Sequence, residues 1–212
     1  MLNTEMTTNQ TASKIGRKRH PFLCVEGIDG SGKTTTATLL AQALGGICYK
    51  TPPHPFAAIR AYVDGHASPC ARFQFYLASV VYASAEIEKL LWGLPVVCDR
   101  YVYSTLAYHA ALGVDLGNFA SPAGLVMPDV TVLLVADEAE RMGRLRSRQS
   151  EDVSDRYLEG DTCFMGRVRA EFRKMGLIEI DTTGLAPAEV VASILGLIPG
   201  AVTQIEKAAF LL

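Results

Sequence analysis

The stretch Glu26-Gly-Ile-Asp-Gly-Ser-Gly-Lys-Thr-Thr35 decides how the rest of this chain is read. The apolar run Phe22-Leu-Cys-Val25 precedes it, and residues 34–44 follow with apolar positions at helical spacing. The sequence therefore predicts a short buried strand, a glycine-rich turn and the start of a helix. Gly27, four intervening residues and then Gly32-Lys33-Thr34 have the spacing of a phosphate-cradling loop. Several backbone N–H groups pointing the same way must wrap a polyphosphate. That needs backbone conformations and close approach that a side chain obstructs, which suits Gly27, Gly30 and Gly32. The helix start near Lys33 adds its positive dipole end. Lys33 brings a mobile full charge for terminal phosphates, and the Thr34 hydroxyl can ligate Mg2+.

With 212 residues the chain is long enough for one α/β domain with a full core. Hydrophobic residues make up 49% and charged residues 20%, the range of a soluble globular protein. A net charge of −2 gives no global basic field of the kind that draws nucleic acid. No apolar run is long enough to span a bilayer, and the closing Ala208-Ala-Phe-Leu-Leu212 is far too short. Cys24, Cys48, Cys70, Cys98 and Cys163 are scattered, with no CxxC and no Cys/His ligand spacing. They are expected to be reduced core residues of a cytoplasmic protein rather than a disulfide framework or a zinc site. Residues 1–20 are polar, end in Lys14-Ile-Gly-Arg-Lys-Arg-His20 and lack an apolar segment, so they read as a disordered leader and not a secretory signal.

After the loop and its helix, Gly45-Gly46 stops the helix and Ile47-Cys-Tyr-Lys50 reads as a second strand. A proline-rich turn at residues 52–55 leads to a helical stretch with Phe56, Ile59, Tyr62 and Val63 on one side. Ser68-Pro69 opens a longer helix with apolar positions through residues 73–91. Val96-Val-Cys-Asp99 is an apolar strand ending in a carboxylate, and residues 104–112 read as helix. Val130-Thr-Val-Leu-Leu-Val135 is the clearest buried strand. An arginine-rich helix (139–148), a polar loop (149–155), a helix (161–174), the strand Leu177-Ile-Glu-Ile-Asp181 and a last helix (187–197) complete the pattern. Short apolar strands alternating with helices predict an α/β fold: five parallel strands with helices on both faces, one domain over residues 21–212. Ligands in such sheets gather at the carboxyl ends of the strands, so the loop, Lys50, Asp99, Arg100 and the segment after Val135 should face one crevice.

Asp99 at a strand end can hold Mg2+ or its water shell, and Arg100, an always-charged planar fork, suits a second phosphate. Arg144, Arg146, Arg148 and Arg156 bracket the polar loop, and Arg141, Arg144 and Arg148 share one helical face. A solvated face is the default for such a run. Arg148 and Arg156 could instead ride on a small lid, about residues 148–160, that closes positive charge over a transferred group and excludes water.

The whole resembles the thymidylate kinase family, nucleoside monophosphate kinases of the P-loop superfamily. The resemblance runs from Phe22 to about Leu197 and rests on the opening stretch, Asp99-Arg-Tyr-Val-Tyr-Ser104, Ala107-Tyr108, Pro128-Asp129 and Asp155-Arg-Tyr157. It implies a P-loop NTPase-type three-layer fold and Mg2+-dependent phosphoryl transfer from ATP to a deoxypyrimidine nucleoside monophosphate, dTMP foremost. It further implies that Gly27, Ile28, Asp29, Gly30, Ser31, Gly32, Lys33, Thr34 and Thr35 hold ATP. Thr34, Asp29 and Asp99 would serve the metal. Arg60, Phe75, Ser79, Arg100, Ser104 and Tyr108 would line the acceptor site, with Phe75 stacking on the base and Tyr108 pressing on the sugar. Lys33, Asp29, Arg100, Arg148 and Arg156 would act in catalysis. Because Gly30 stands where one subgroup has an arginine, the lid would supply the catalytic arginine. A homodimer packed through the helix at residues 73–91 is also implied, with core packing of that helix as the alternative.

The chain departs from the family pattern at three places. Lys50-Thr51-Pro52 replaces an acidic residue with proline, Ser79 stands at the base-reading arginine, and His109 at a glutamine. The missing arginine removes a charge-assisted contact to a thymine carbonyl worth roughly 1.5–3 kcal/mol. Base identity is therefore open to a different or modified pyrimidine. Two rivals remain. One is the same fold acting on a hydroxyl of a nucleoside, sugar or antibiotic, which needs a carboxylate base. The other is a binding module or switch without transfer; no guanine-reading Asn/Thr-Lys-x-Asp string supports it.

Overall fold

A computed structural model describes residues 19–117, 119–147 and 161–198. Its strands are β1 (Phe22–Gly27), β2 (Ile47–Lys50), β3 (Val96–Asp99), β4 (Val130–Val135) and β5 (Ile178–Asp181). They form one sheet in the order β2-β3-β1-β4-β5, every pairing parallel. The helices are α1 (Lys33–Ala43), α2 (Phe56–His66), α3 (Pro69–Leu90), α4 (Val102–Ala111), α5 (Glu138–Ser147), α6 (Thr162–Lys174) and α7 (Pro187–Leu195). Parallel neighbours need crossovers, and the helices supply them while covering both faces.

Alternation along β1 sorts the core. Leu23 and Val25 face α1 and α7, where Leu40, Ala41, Val190 and Ile194 close over them. Phe22 and Cys24 face the other way, against Val80, Ala83 and Ile87 of α3 and Tyr101. A third cluster joins Ile28 and Leu133 to Ala107 of α4 and Phe164, Met165, Val168 and Phe172 of α6. All six residues of β1 are buried, whereas both ends of β4 are half-buried. The fully buried strands are thus β1 and β3 (Val96–Asp99), not β4, whose ends reach past the covering helices.

Several expectations need correction. Cys24 and Cys98 are core residues, Cys48 is half-buried, but Cys70 and Cys163 are exposed on helices. The apolar side of α2 does not pack inward: the helix has no buried residue, and Ile59 and Tyr62 stand 54% and 69% exposed. Polar bonds anchor it instead, as described below. The helix expected from residue 104 starts at Val102, because Glu26 caps it from a distance. Of the stretch read as leader, Arg19 makes a bidentate ion pair with Asp129 (2.6 and 2.9 Å), and the His20 N–H donates to the Leu91 carbonyl. Residues 1–18 lie outside the described residues.

Candidate active site

The loop between β1 and α1 sits at the carboxyl end of the central strand, where the chain leaves for opposite sides of the sheet. Gly27, Gly30 and Gly32 all have positive φ (143°, 84° and 94°). At Gly27 a Cβ would lie 2.5 Å from the Leu134 carbonyl oxygen, and at Gly30 2.6 Å from Arg141 Cγ. The glycines are therefore required by both conformation and space. Gly30 packs directly under α5, which is the physical reason no arginine can occupy that position here.

Lys33 is 5% exposed, and its Nζ donates to the Ile28 carbonyl (2.7 Å) and reaches Asp29 (3.4 Å). Burial, helped by the nearby Arg100 charge and opposed by Asp29, lowers its pKa to about 8. Asp29 also accepts from Arg100, and the Tyr108 hydroxyl lies 3.4 Å from its second oxygen. Burial disfavours the Asp29 anion, yet Arg100 and Lys33 outweigh it and hold the carboxyl far below the usual range. The Ser31 Oγ is buried without a hydrogen-bond partner in the middle of this loop.

Arg100 leaves β3 with φ 67°, strained for a residue with a side chain. Its neighbours determine that conformation. The Arg100 N–H donates to the Val25 carbonyl (3.1 Å), and its carbonyl accepts from Thr51 Oγ1 (2.9 Å). Beyond it, Glu26 accepts from the Tyr101 and Ser104 N–H groups (2.8 and 3.1 Å) and from the Ser104 hydroxyl (2.5 Å), closing the start of α4. The Arg100 guanidinium donates to the Gly27 carbonyl and Ser104 Oγ, both at 3.1 Å, and stands 5.3 Å over the Tyr108 ring. It is locked in place beside Lys33 and the loop.

On the other side of the loop, the exposed Thr34 donates its hydroxyl proton to Asp99 (2.7 Å). The second Asp99 oxygen is buried and has no partner. A hydroxyl next to an unsatisfied carboxylate suits Mg2+, which takes one or two protein oxygens and completes its shell from water and phosphate. Asp29 does not join this pair, since its oxygens are committed to Arg100, Lys33 and Tyr108. No group of three or more His, Cys, Asp or Glu converges among the described residues.

The structure thus brings together Lys33, Asp29, Arg100, Ser104 and Tyr108, and separately Thr34 and Asp99. It does not bring Arg60, Phe75 or Ser79 into contact with them. Arg60 Nε donates to Tyr76 (3.1 Å) and pairs with Asp64 (3.4 Å), while the Tyr76 hydroxyl donates to Asp64 (2.9 Å). Phe75 packs on Phe56, their ring centres 5.5 Å apart. Ser79 is buried and donates to the Tyr76 carbonyl. His109 is buried against Phe73 and Tyr76, with burial lowering its pKa. Arg148 and Arg156 lie outside the described residues.

Sequence reading gave no role to Glu26 or Thr182, and set Arg144 in the basic run beside the lid, whereas it donates to the Gly30 carbonyl and to Thr182. Glu26 had a signal: a carboxylate inside an apolar strand has to be paired once buried. Arg141 was read as part of a solvated face, but it is fully buried against the loop.

The family model for thymidylate kinase matches residues 25–194. The chain belongs to the thymidylate kinase family. A probable thymidylate kinase of Methanococcus vannielii is 32% identical over 192 residues, covering 80% of this chain and 90% of that one. One of Pyrobaculum calidifontis is 31% identical over 198 residues, covering 88% and 100%. The solved thymidylate kinase of Candida albicans superposes with a TM-score of 0.67 at 22% identity, over 85% of this chain and 92% of that one. A deoxyadenosine kinase from M. mycoides shares the fold at TM-score 0.58 and 13% identity, over 82% and 97%. Thymidylate kinase family membership makes the chain a phosphotransferase of the nucleoside monophosphate kinase type with a P-loop α/β fold.

Proposed function

We propose that this chain moves the γ-phosphoryl group of ATP to the 5′-phosphate of a deoxypyrimidine nucleoside monophosphate, dTMP first. The observation that carries this is Arg100, a locked guanidinium on the loop acid Asp29 and beside the buried Lys33. Two anion-binding groups that share one Asp29 oxygen suit two phosphorylated molecules meeting end to end. The loop amides of residues 27–35 and Lys33 hold the donor phosphates. Thr34 and Asp99 would hold Mg2+, which would supply charge neutralisation at the donor phosphates. In this reading Arg100 and Ser104 hold the acceptor phosphate and Tyr108 flanks the sugar, and Arg60, Phe75 and Ser79 are assigned to the base side. Arg148 and Arg156, which lie outside the described residues, are the proposed lid arginines.

The acid–base chemistry favours a phosphate acceptor over a hydroxyl. A phosphate monoester has its second pKa near ~6, so it is largely dianionic at neutral pH and needs no base. A hydroxyl acceptor needs a carboxylate poised to take a proton. Asp29 is held too acidic for that, and Glu26, although burial raises its pKa, is enclosed and spent on α4. What the protein supplies is alignment and fixed positive charge.

The test is ADP release measured with dTMP, dUMP, base-modified pyrimidine monophosphates, dCMP and thymidine as acceptors. Turnover with dTMP well above thymidine supports the reading. A preference for another pyrimidine monophosphate would support the second version, favoured by Ser79. No stimulation by any monophosphate would overturn both. We further propose a homodimer in the cytoplasm. Support comes from α3, whose Val81 and Tyr82 are each 42% exposed while Val80, Ala83 and Ile87 face the core. No helix among the described residues is long and apolar enough to cross a membrane. Sedimentation equilibrium checks the dimer; a monomer at micromolar concentration removes it.

A further inference from the structure

We propose that α5 and the start of the segment after β5 act as a strap on the carbonyl side of the phosphate loop, with Arg141 as its central positioning residue. A loop that presents its N–H groups to an anion must turn its carbonyls away, and each carbonyl then needs a donor. Three consecutive loop carbonyls find theirs outside the loop. Arg141 NH1 donates to Asp29 O (3.1 Å), Arg144 NH1 to Gly30 O (3.4 Å) and the Thr182 hydroxyl to Ser31 O (3.2 Å). Thr182 shares its proton with Val135 O (3.1 Å) and accepts from Arg144 NH1 (2.9 Å), so two of the three donors are joined, and Arg141 stands on the same helix as Arg144.

Arg141 is the unexpected member. Its side chain is 0% exposed, and removing a guanidinium from water is costly unless its donors are met. Glu138 meets most of them, at Nε (3.1 Å) and NH2 (2.5 Å), and Glu138 is itself held by Arg169 (2.7 Å). The remaining fork nitrogen reaches the Asp29 carbonyl. Arg141 also fills the space a side chain at Gly30 would need. The result is a full positive charge fixed behind the loop, in a place a ligand cannot touch. The buried Ser31 Oγ, which has no hydrogen-bond partner, lies in the same held segment. The strap pre-organises the amides, so donor phosphate binding does not have to order them.

The inference rests on the loop being the donor site, and its test separates the two. Arg141→Met, Arg141→Lys and Thr182→Val are made in the full chain. ADP and Mg2+-ATP binding are measured by calorimetry, KM for donor and acceptor by kinetics, and amide hydrogen exchange over residues 27–33 by mass spectrometry. Arg141→Met should weaken ADP about tenfold and speed exchange at the loop, with acceptor KM within about twofold. Arg141→Lys should recover part of the loss, and Thr182→Val should show the same pattern at smaller size. Folded variants with unchanged ADP affinity and loop exchange, or with only a lower melting temperature, overturn the proposal. If Arg141→Met does not fold, Thr182→Val decides by the same readings. ADP binding needs no acceptor, so a failed acceptor panel leaves this result readable.

Discussion

Arg100 divides the site into two regions built on different principles. On the donor side, every residue from Phe22 to Ile28 is buried, Lys33 is 5% exposed and three successive loop carbonyls are tied to neighbouring elements. On the acceptor side, α2 buries nothing and is held by the Arg60–Asp64–Tyr76 bonds and by Arg72 reaching the Asp64 carbonyl (3.3 Å). Few buried apolar contacts and many part-exposed polar ones mark the readily opened end of a structure. Phosphate handling, the same for any substrate, is placed in the rigid core. Under the proposed function, discrimination among acceptors would fall to α2, which buries no residue.

The sharpest way to break this contrast is at Lys33. Lys33→Ala should lower kcat by about 10³-fold or more while far-UV circular dichroism and melting stay those of a folded protein, since the charge is lost where it develops in the transition state. Near-normal turnover would remove the donor-side assignment. Arg100→Lys comes next. It keeps the charge but loses the fork that spans Gly27, Ser104 and Asp29, so kcat/KM for the acceptor should fall by about 10² while donor affinity changes little. An equal loss on both substrates would mean that Arg100 belongs to the donor side, and the division would need redrawing.

A smaller effect comes from pH. Burial lowers the Lys33 pKa to about 8 in the ligand-free protein, and bound phosphates favour its charged form. Donor affinity should therefore be highest below pH 8 and fall about tenfold between pH 7 and 9, with about half a proton taken up on binding at pH 8 and more toward pH 9. Stability moves the opposite way. Between about 8 and the ordinary 10.5, the unfolded lysine keeps a proton that the native one has lost, so this group's contribution to stability rises with pH. Calorimetry of ADP binding in two buffers of different ionisation heat reads the proton count. A flat affinity profile to pH 9, with no uptake, would contradict the burial argument.

These predictions lean mostly on residues that were legible in sequence. The five strands, their parallel pairing and the loop followed from apolar runs and glycine spacing, because backbone pairing and phosphate wrapping leave few residue choices; the strand order did not. Asp99 and Arg100 were legible as a carboxylate and fork at a strand end. What stayed hidden depends on which side of a helix meets what. Arg141 has the same spacing to Arg144 and Arg148 that a solvated face would show, and only the close approach of Gly30 turns it inward. Glu26 required knowing that α4 begins beside β1. The apolar side of α2 misled for the converse reason: helical periodicity says that one face is apolar, not that anything lies against it.

The smallest expected effect falls on that acceptor side. The Tyr76 hydroxyl donates to Asp64 and accepts from Arg60, bridging α2 to α3. Tyr76→Phe keeps the ring that packs on His109 and removes only the bridge. A hydrogen bond of this kind contributes about 1 kcal/mol, so melting should fall by a few degrees. Acceptor KM should shift about threefold as α2 loosens, with donor KM unchanged. Comparison of dTMP with dUMP would sharpen the point, because a change in their ratio means that the bridge orients base-side groups and not merely the helix. Should Tyr76→Phe instead lower kcat as far as Arg100→Lys does, α2 would have to be counted as part of the rigid machinery. The boundary between fixed chemistry and adjustable recognition would then lie beyond α2 rather than at Arg100.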